Sequence, residues 1–437
     1  MIETYQRISR RRVRNSRLGS LIHRGIWGLC DQAFISATNF VMTVVLARNL
    51  DPTNFGAFTL VYAVIFFVNT FQSALVTRPH NVVGTTYHDA EYRQYTTATA
   101  MSQIWLTGSL ALVALLCAVV AHRAAWSIAP LLVPLVPTII AWQLQEFFRR
   151  VLYTEGRLKD AFVNDVVSYG GQVVSVIALG HFGQLTSTRA LSIVTFTSAI
   201  AAAWGWWAVK ESLDRREIRK PIREKWLAEN WRFGKWIFGA LIVSSASGQL
   251  YTALLAGLVS IAKAGVLRAI ITVLGPAHIL LVAMETALPP AAARVYDEKG
   301  QSGLHSFIAR IVVMTAPLMA AYCILVSIFA KPILGMLFGD QYRQYGWLLT
   351  FLVLSYALVY LQSPVLIALD GRRASAPVFH ANLWAGLIGL TLGVIAIHLF
   401  GLFGAGLGLI VEPVIANVVL WRHYRRITAT RPSEAIR

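Results

Sequence analysis

The sequence predicts an all-α integral membrane protein of about twelve transmembrane helices, arranged as two six-helix bundles related as parallel repeats. Three observations lead there. The 437-residue chain is 56% hydrophobic and only 14% charged, whereas a soluble domain carries about 25% charged residues. Apolar runs near 20 residues recur along the whole chain, each long enough to cross a hydrocarbon core of about 30 Å. The chain also echoes itself. Thr43, Leu46-Ala47 and Gly56 recur 209 positions later as Thr252, Leu255-Ala256 and Gly265, and Glu155-Gly156-Arg157 recurs 215 positions later as Asp370-Gly371-Arg372. Internal repeats of this kind mark transporter folds, whose substrate sites lie where the repeats meet.

The runs fall at 25–47, 55–77, 97–121, 125–145, 161–181, 188–209, 236–258, 264–287, 306–329, 345–369, 376–399 and 402–421. They are too long and too uniformly apolar for barrel strands, so helices are expected. The first follows an arginine-rich segment that resembles the start of a signal peptide. Its length and the lack of a small-residue cleavage site make it a retained helix.

The formal charge of +18 would suit a nucleic-acid partner, but its placement argues against one. Basic residues collect in alternate gaps: before the first run (Arg7 to Arg24), after the fourth (Arg149 to Lys159), after the sixth (Lys210 to Lys235) and after the last (Arg422, Arg425, Arg426). Opposite them are only Arg48, Arg123, Arg189, Lys263, Arg268, Lys331 and Arg343. This is the positive-inside pattern, which places both termini in the cytoplasm and requires an even number of spans. The expected organisation is a basic cytoplasmic segment 1–24, a bundle 25–209, a basic cytoplasmic linker 210–235, a second bundle 236–421 and a cytoplasmic tail 422–437. With six spans each, the bundles enter the membrane in the same direction. The linker reads as an amphipathic interfacial helix or as a passive tether.

Several chemistries find no support. There is no P-loop, no H-E-x-x-H and no G-x-S-x-G, and Cys30, Cys117 and Cys323 lie far apart inside apolar runs. No cofactor or metal is implied, and the outside gaps are too short for a catalytic domain. Gly389 with Gly393 and Gly404 with Gly408 sit four apart, as in closely packed membrane helices. Gly275-Pro276 should kink the eighth run, because proline removes a backbone hydrogen bond.

Polar groups inside the runs are the site candidates, since a charged side chain at mid-membrane costs about 2.5–3.5 kcal/mol on insertion scales. Asp31, Gln32, Ser36, Asn39 and Thr43 form one stripe on the first helix, and Asn69 and Ser73 share a face of the second. Ser245, Gly248, Gln249 and Thr252 do the same on the seventh. The eighth carries Arg268, Thr272, His278 and Glu285, and Glu412 stands beside Pro413 in the twelfth. Equivalent helices of both halves therefore carry polar faces, which suit a shared cavity or mutual hydrogen bonding between helices. Arg48 and Arg78 sit at span ends, where snorkelling is the ordinary reading.

These residues also carry a family likeness. Ala37-Thr38-Asn39-Phe40, Leu46 to Pro52 with Phe55-Gly56, Gln72 to Pro79, Arg150 to Tyr153 with Gly156-Arg157, and Leu267-Arg268-Ala269 with Leu274-Gly275-Pro276 resemble the polysaccharide transporter (O-antigen flippase-like) family. That family belongs to the multidrug/oligosaccharidyl-lipid/polysaccharide flippase superfamily. The likeness covers nearly the whole chain and implies a V-shaped pair of bundles that carries a polyprenyl-pyrophosphate-linked oligosaccharide from the inner to the outer leaflet of a bacterial cytoplasmic membrane. It implies a non-enzymatic protein without cofactor. Its partners would be the lipid-linked glycan, membrane lipids, and polysaccharide polymerase and chain-length proteins. Under it, Arg24, Arg78 and Arg268 would meet pyrophosphate. Asn39, Asn69, Gln72 and Gln249 would meet sugars. Asp31 would line the substrate path, and Asp31, Glu285 and Glu412 are candidates for ion coupling. Alternatives are an ion-coupled drug or small-molecule antiporter of the same superfamily, and a membrane-embedded glycan polymerase or ligase.

Overall fold

The computed structural model describes residues 27, 30–214, 224–372 and 374–429. Helices dominate, and no strand occurs among the described residues. The first helix, α1 (Cys30–Asn49), is followed by α2 (Pro52–Gln72), a π turn (Ser73–Thr77) and α3 (Arg78–Val83). Then come α4 (Asp89–Arg123), α5 (Ala129–Thr154), α6 (Leu158–Asp165), α7 (Gly171–His181) and α8 (Ser187–Val209). The rest comprises α9 (Glu224–Leu258), α10 (Ile261–Val273), α11 (Gly275–Ala287), α12 (Pro289–Ile328), α13 (Ala330–Phe338), α14 (Asp340–Arg343), α15 (Gly346–Gly371), α16 (Ser375–Phe400) and α17 (Leu402–Ala429).

Ten stretches among the described residues are long and apolar enough to cross a membrane. They account for eleven of the twelve expected runs. One stretch, Gly275–Ile328, is 54 residues long, about 80 Å if straight, and so exceeds one crossing. It holds the end of the eighth run and all of the ninth. Gly300 breaks it with φ of 63°, a conformation that costs glycine little. The seventh run lies in α9. The eighth is divided at Leu274, where α11 begins with Gly275-Pro276, at the place of the expected kink.

Burial is inverted relative to a soluble protein. Val313 and Met314 of α12 are 72% and 71% exposed, and Leu112, Val113, Leu116 and Val120 of α4 are exposed too. Such a coat of large apolar side chains is tolerable only against lipid. The multi-pass membrane assignment therefore stands on structure as well as composition.

The chain divides into two units, 1–46 with 64–239, and 47–63 with 240–437. The division differs from the expected 25–209 and 236–421 in two places. Residues 224–239 group with the first unit, because Trp226 is buried between Tyr87 and Tyr95 and Asn230 accepts a hydrogen bond from the Tyr95 hydroxyl at 2.7 Å. This part of the expected linker is thus anchored in protein. Residues 47–63 group with the second unit through the glycines of the repeat. A Cβ on Gly56 would lie 2.0 Å from the Ile261 carbonyl oxygen, and one on Gly265 would lie 2.9 Å from the Gly56 nitrogen. The recurring glycines are therefore the point at which α2 and α10 cross, backbone against backbone.

The first unit packs α5 against α4 and α8, and the second packs α15 against α12 and α17 and α16 against α17. In the latter pair a Cβ on Gly404 would lie 1.8 Å from the Ala396 carbonyl oxygen. Gly393 and Gly408 together leave a slot for the ring of Tyr251, whose hydroxyl donates to the Gly389 carbonyl at 2.6 Å. The small-residue spacing read in the sequence is a packing device.

Candidate functional site

The first unit contains a buried ionic centre organised by α5. Gln145, Glu146, Arg149 and Tyr153 share one face of that helix by their spacing. Arg149 is the hub. Its Nη2 lies 2.9 Å from Asp31 of α1, its Nη1 2.9 Å from Glu146, and its Nε 2.7 Å from Asp165 of α6. Tyr153 donates its hydroxyl to Asp31. Arg150, half in solvent, caps the group through a 2.6 Å contact with Glu146. Three carboxylates thus face two guanidiniums. The Asp31 and Asp165 carboxyls lie against one guanidinium, and Asp31 Oδ1 is buried without a hydrogen-bond partner among the described residues. Burying an ion costs several kcal/mol unless it is paired, so Arg149 and its carboxylates hold one another in place.

A neutral ladder runs beside this centre. Gln72 Nε2 donates to the Gln143 carbonyl at 2.7 Å, and Gln103 Nε2 donates to Thr107 Oγ1, which donates to Gln143 Oε1, each at 2.7 Å. These bonds tie α2, α4 and α5 together. His80 is fully buried, with Nδ1 3.1 Å from Thr154 Oγ1 and Nε2 3.2 Å from Thr96 Oγ1.

The expected site residues fall in several places. Asp31 is buried in the ionic centre, where Arg149 and Tyr153 bond to one of its oxygens and the other is enclosed. Gln72 is buried too, and its amide joins α2 to α5 through the Gln143 carbonyl. Asn39 and Asn69 are half-buried, and Arg78 is exposed. Arg24 and the side chain of Gln249 lie outside the described residues.

In the second unit Arg268 is half-buried, within electrostatic range of the Tyr62 and Tyr356 hydroxyls. No carboxylate among the described residues pairs with it. Glu285 accepts from Ser363 Oγ at 3.1 Å. Glu412 packs on Gly389, where an added Cβ would lie 3.2 Å from its own. Arg48 donates to the Met336 carbonyl, a span-end anchorage consistent with its position.

The sequence places Arg149 only among the basic residues after the fourth run, and singles out neither its role as a hub nor Asp165 or His80. Asp165 was detectable as a charge inside an apolar run. Nothing in the sequence marks His80, whose partners come from two other helices.

A helical chain with ten stretches long and apolar enough to cross a membrane, and charged groups inside them, is a multi-pass membrane protein, and comparison with known proteins narrows this. The family model described as polysaccharide biosynthesis protein matches residues 45–346. The chain belongs to that family. No curated protein matches it. Among solved structures, an inward-facing multidrug resistance MATE family transporter of the MOP superfamily is similar with a TM-score of 0.72 and 12% identity, over 92% of this chain and 96% of the other. The lipid II flippase MurJ in an inward closed conformation is similar with a TM-score of 0.66 and 12% identity, over 92% and 87%. A MOP superfamily transporter from Pyrococcus furiosus gives 0.59 and 13%, over 94% and 96%. At these identities the likeness establishes the fold, which is that of the MOP superfamily.

Proposed function

We propose that the chain moves a polyprenyl-pyrophosphate-linked oligosaccharide from the inner to the outer leaflet of a bacterial cytoplasmic membrane by alternating access, for cell-surface polysaccharide synthesis. It makes and breaks no covalent bond. Both termini face the cytoplasm in this reading. Polymerase and chain-length proteins are the partners that would take over the translocated glycan. Family membership supports the glycan, and the fold supports transport.

The observation that carries the reading is the contrast between two intramembrane arginines. Arg149 is saturated by three carboxylates. Arg268 sits within a helix of mean apolar character, with hydroxyls but no carboxylate around it among the described residues. A cation kept at such cost calls for an anion from elsewhere, and guanidinium suits phosphate oxygens in bidentate geometry. Asn39 and Asn69, half-buried on α1 and α2, are candidates for sugar contact together with Gln72 and Gln249.

Replacing Arg268 with alanine should cut translocation of lipid-linked glycan at least tenfold while membrane accumulation of the protein stays normal. Normal translocation in that variant removes Arg268 from the site. A second reading, ion-coupled antiport, is favoured by the excess of carboxylates around Arg149, with Asp31, Glu285 and Glu412 as ion-binding candidates. Cation efflux from energised vesicles distinguishes it from glycan movement.

A further inference from the structure

We propose that the pocket beside the Gly300 bend of α12 holds the headgroup phosphate of an anionic bilayer lipid, bound by Lys299 and Arg310. The pocket lies wholly in the second unit and has a volume of about 390 Å³. Lys299, Ser302, Gly303, Ser306 and Arg310 line it, with Val295 and Phe307 as its apolar wall. That volume suits a headgroup, near the low end of the roughly 300–1,000 Å³ of small-molecule sites.

The bend builds the pocket. Gly300 takes φ of 63°, so Lys299 ends one helical stretch and Gln301 begins the next. Lys299 then folds over Gly303: a Cβ there would lie 2.2 Å from the Lys299 Cβ and 3.4 Å from its Cδ. The missing side chain lets the lysine stem lie along the pocket. Arg310 joins it from two turns beyond Gly303. The serine hydroxyls are engaged within the helix, Ser302 donating to the Lys299 carbonyl at 3.4 Å and Ser306 to the Ser302 carbonyl at 3.1 Å. Recognition therefore falls to the ammonium and the guanidinium. No carboxylate among the described residues pairs with either, and neither Asp297 nor Glu298 lines the pocket. Two such cations on one cavity call for an anion, and phosphate oxygens suit both.

The residues that follow on the helix indicate which anion. Val313, Met314 and Pro317 stand three, four and seven positions after Arg310 and share its face, and all three are exposed. A headgroup in the pocket would continue into acyl chains along this apolar strip, which a soluble phosphate would leave unmatched. Cationic pockets at the ends of membrane helices are suited to lipid headgroups.

The repeat supplies a contrast. Thr97 and Ser306 open the third and ninth apolar runs, 209 positions apart, which is the offset of the repeat. Thr97 is buried and accepts the Asp214 backbone N–H at 2.8 Å, and nearby Tyr95 is covered by Trp226 and Asn230. Protein therefore covers that end of the third helix. Ser306 is exposed and opens on the pocket instead. The lipid would fill in the second unit a place that the chain itself fills in the first. The site is independent of what the chain transports.

The test uses the full chain in detergent, titrated with phosphatidylglycerol or phosphatidylcholine, with bound lipid counted by native mass spectrometry. Inorganic phosphate serves as the soluble probe. The expected result is saturable binding of phosphatidylglycerol, at least tenfold tighter than phosphatidylcholine. Lys299→Gln combined with Arg310→Gln should abolish that preference, and each single variant should reduce it at least threefold. Both side chains are exposed, so the variants should keep the wild-type melting temperature; where the double variant melts lower, the single variants decide. Arg93→Gln removes the same charge from an exposed position on α4 and should leave binding unchanged. Equal binding of the two lipids, a wild-type preference in the folded variants, or an equal loss in Arg93→Gln overturns the site. Displacement of the lipid by millimolar inorganic phosphate assigns the pocket to a soluble phosphate and overturns the lipid reading.

Discussion

At the scale of single residues, Arg149 and Asp51 show opposite ways of using charge. Removing Arg149 leaves Asp31, Glu146 and Asp165 buried without their common partner, a loss of about 3–5 kcal/mol by analogy with broken buried pairs. Arg149→Ala should therefore fail to accumulate or melt far below the wild type, as measured by thermal unfolding in detergent. Arg149→Ala with Asp31→Asn and Asp165→Asn should recover part of the loss. Asp51 works at the surface, between α1 and α2. Its Oδ1 accepts the backbone N–H groups of Thr53 and Asn54, each at 3.0 Å, an N-cap worth about 1 kcal/mol. Desolvation pushes its pKa up, but the bonds from Asn54 and Thr53 outweigh it and hold the carboxyl below its ordinary value of 3.8. A group depressed in the folded state stabilises fully above its unfolded pKa and loses that contribution as pH falls through the folded one. The melting difference between wild type and Asp51→Ala should thus be constant from neutral pH to about 5 and shrink below about 4. A difference that grows on acidification contradicts this capping role.

At the scale of elements, the glycines decide which helices can approach. Gly56 and Gly265 bring the α2 and α10 backbones into contact, and Gly404 does the same for α16 and α17. Gly56→Leu should abolish folding, because the Ile261 backbone blocking its Cβ has no flexible end to yield. Gly108→Leu, where an added Cβ meets nothing within 4 Å, should be tolerated; in-gel accumulation of the two variants is the check. Tyr251→Phe loses only the bond to Gly389 and should cost about 1 kcal/mol, far less than filling its slot with Gly408→Val. The Arg149 centre has the same element-level logic. Asp31, Arg149 and Asp165 come from α1, α5 and α6, so no spacing within one helix announces their meeting.

At the scale of the whole molecule, the arginine distribution predicts an orientation that thiol labelling can test. In a variant with Cys30, Cys117 and Cys323 replaced by alanine, a cysteine at Gln184 should react with a membrane-impermeant thiol reagent added to intact cells, and one at His88 should react only after lysis. Both positions are exposed, so accessibility within the protein does not confuse the readout. Reaction at His88 from outside inverts the topology.

Much of this was legible in the amino-acid sequence, and the reasons are physical. Runs near 20 apolar residues force helices because hydrocarbon offers the backbone no hydrogen-bond partner. Alternating arginine gives an expected topology because short basic loops resist translocation. Gly275-Pro276 breaks its helix through local covalent geometry, and the glycine spacing marks close packing because a missing side chain is a local fact. The repeat was legible as well. Pairing was not. That Arg149 is neutralised while Arg268 has no carboxylate partner among the described residues, that Gln72 is buried against Gln143 and that Trp226 is anchored in protein all depend on side chains from separate helices converging. Spacing along a chain fixes which face of a helix a residue occupies; only the tertiary structure decides what that face meets, because burial and charge neutralisation are properties of the assembled neighbours.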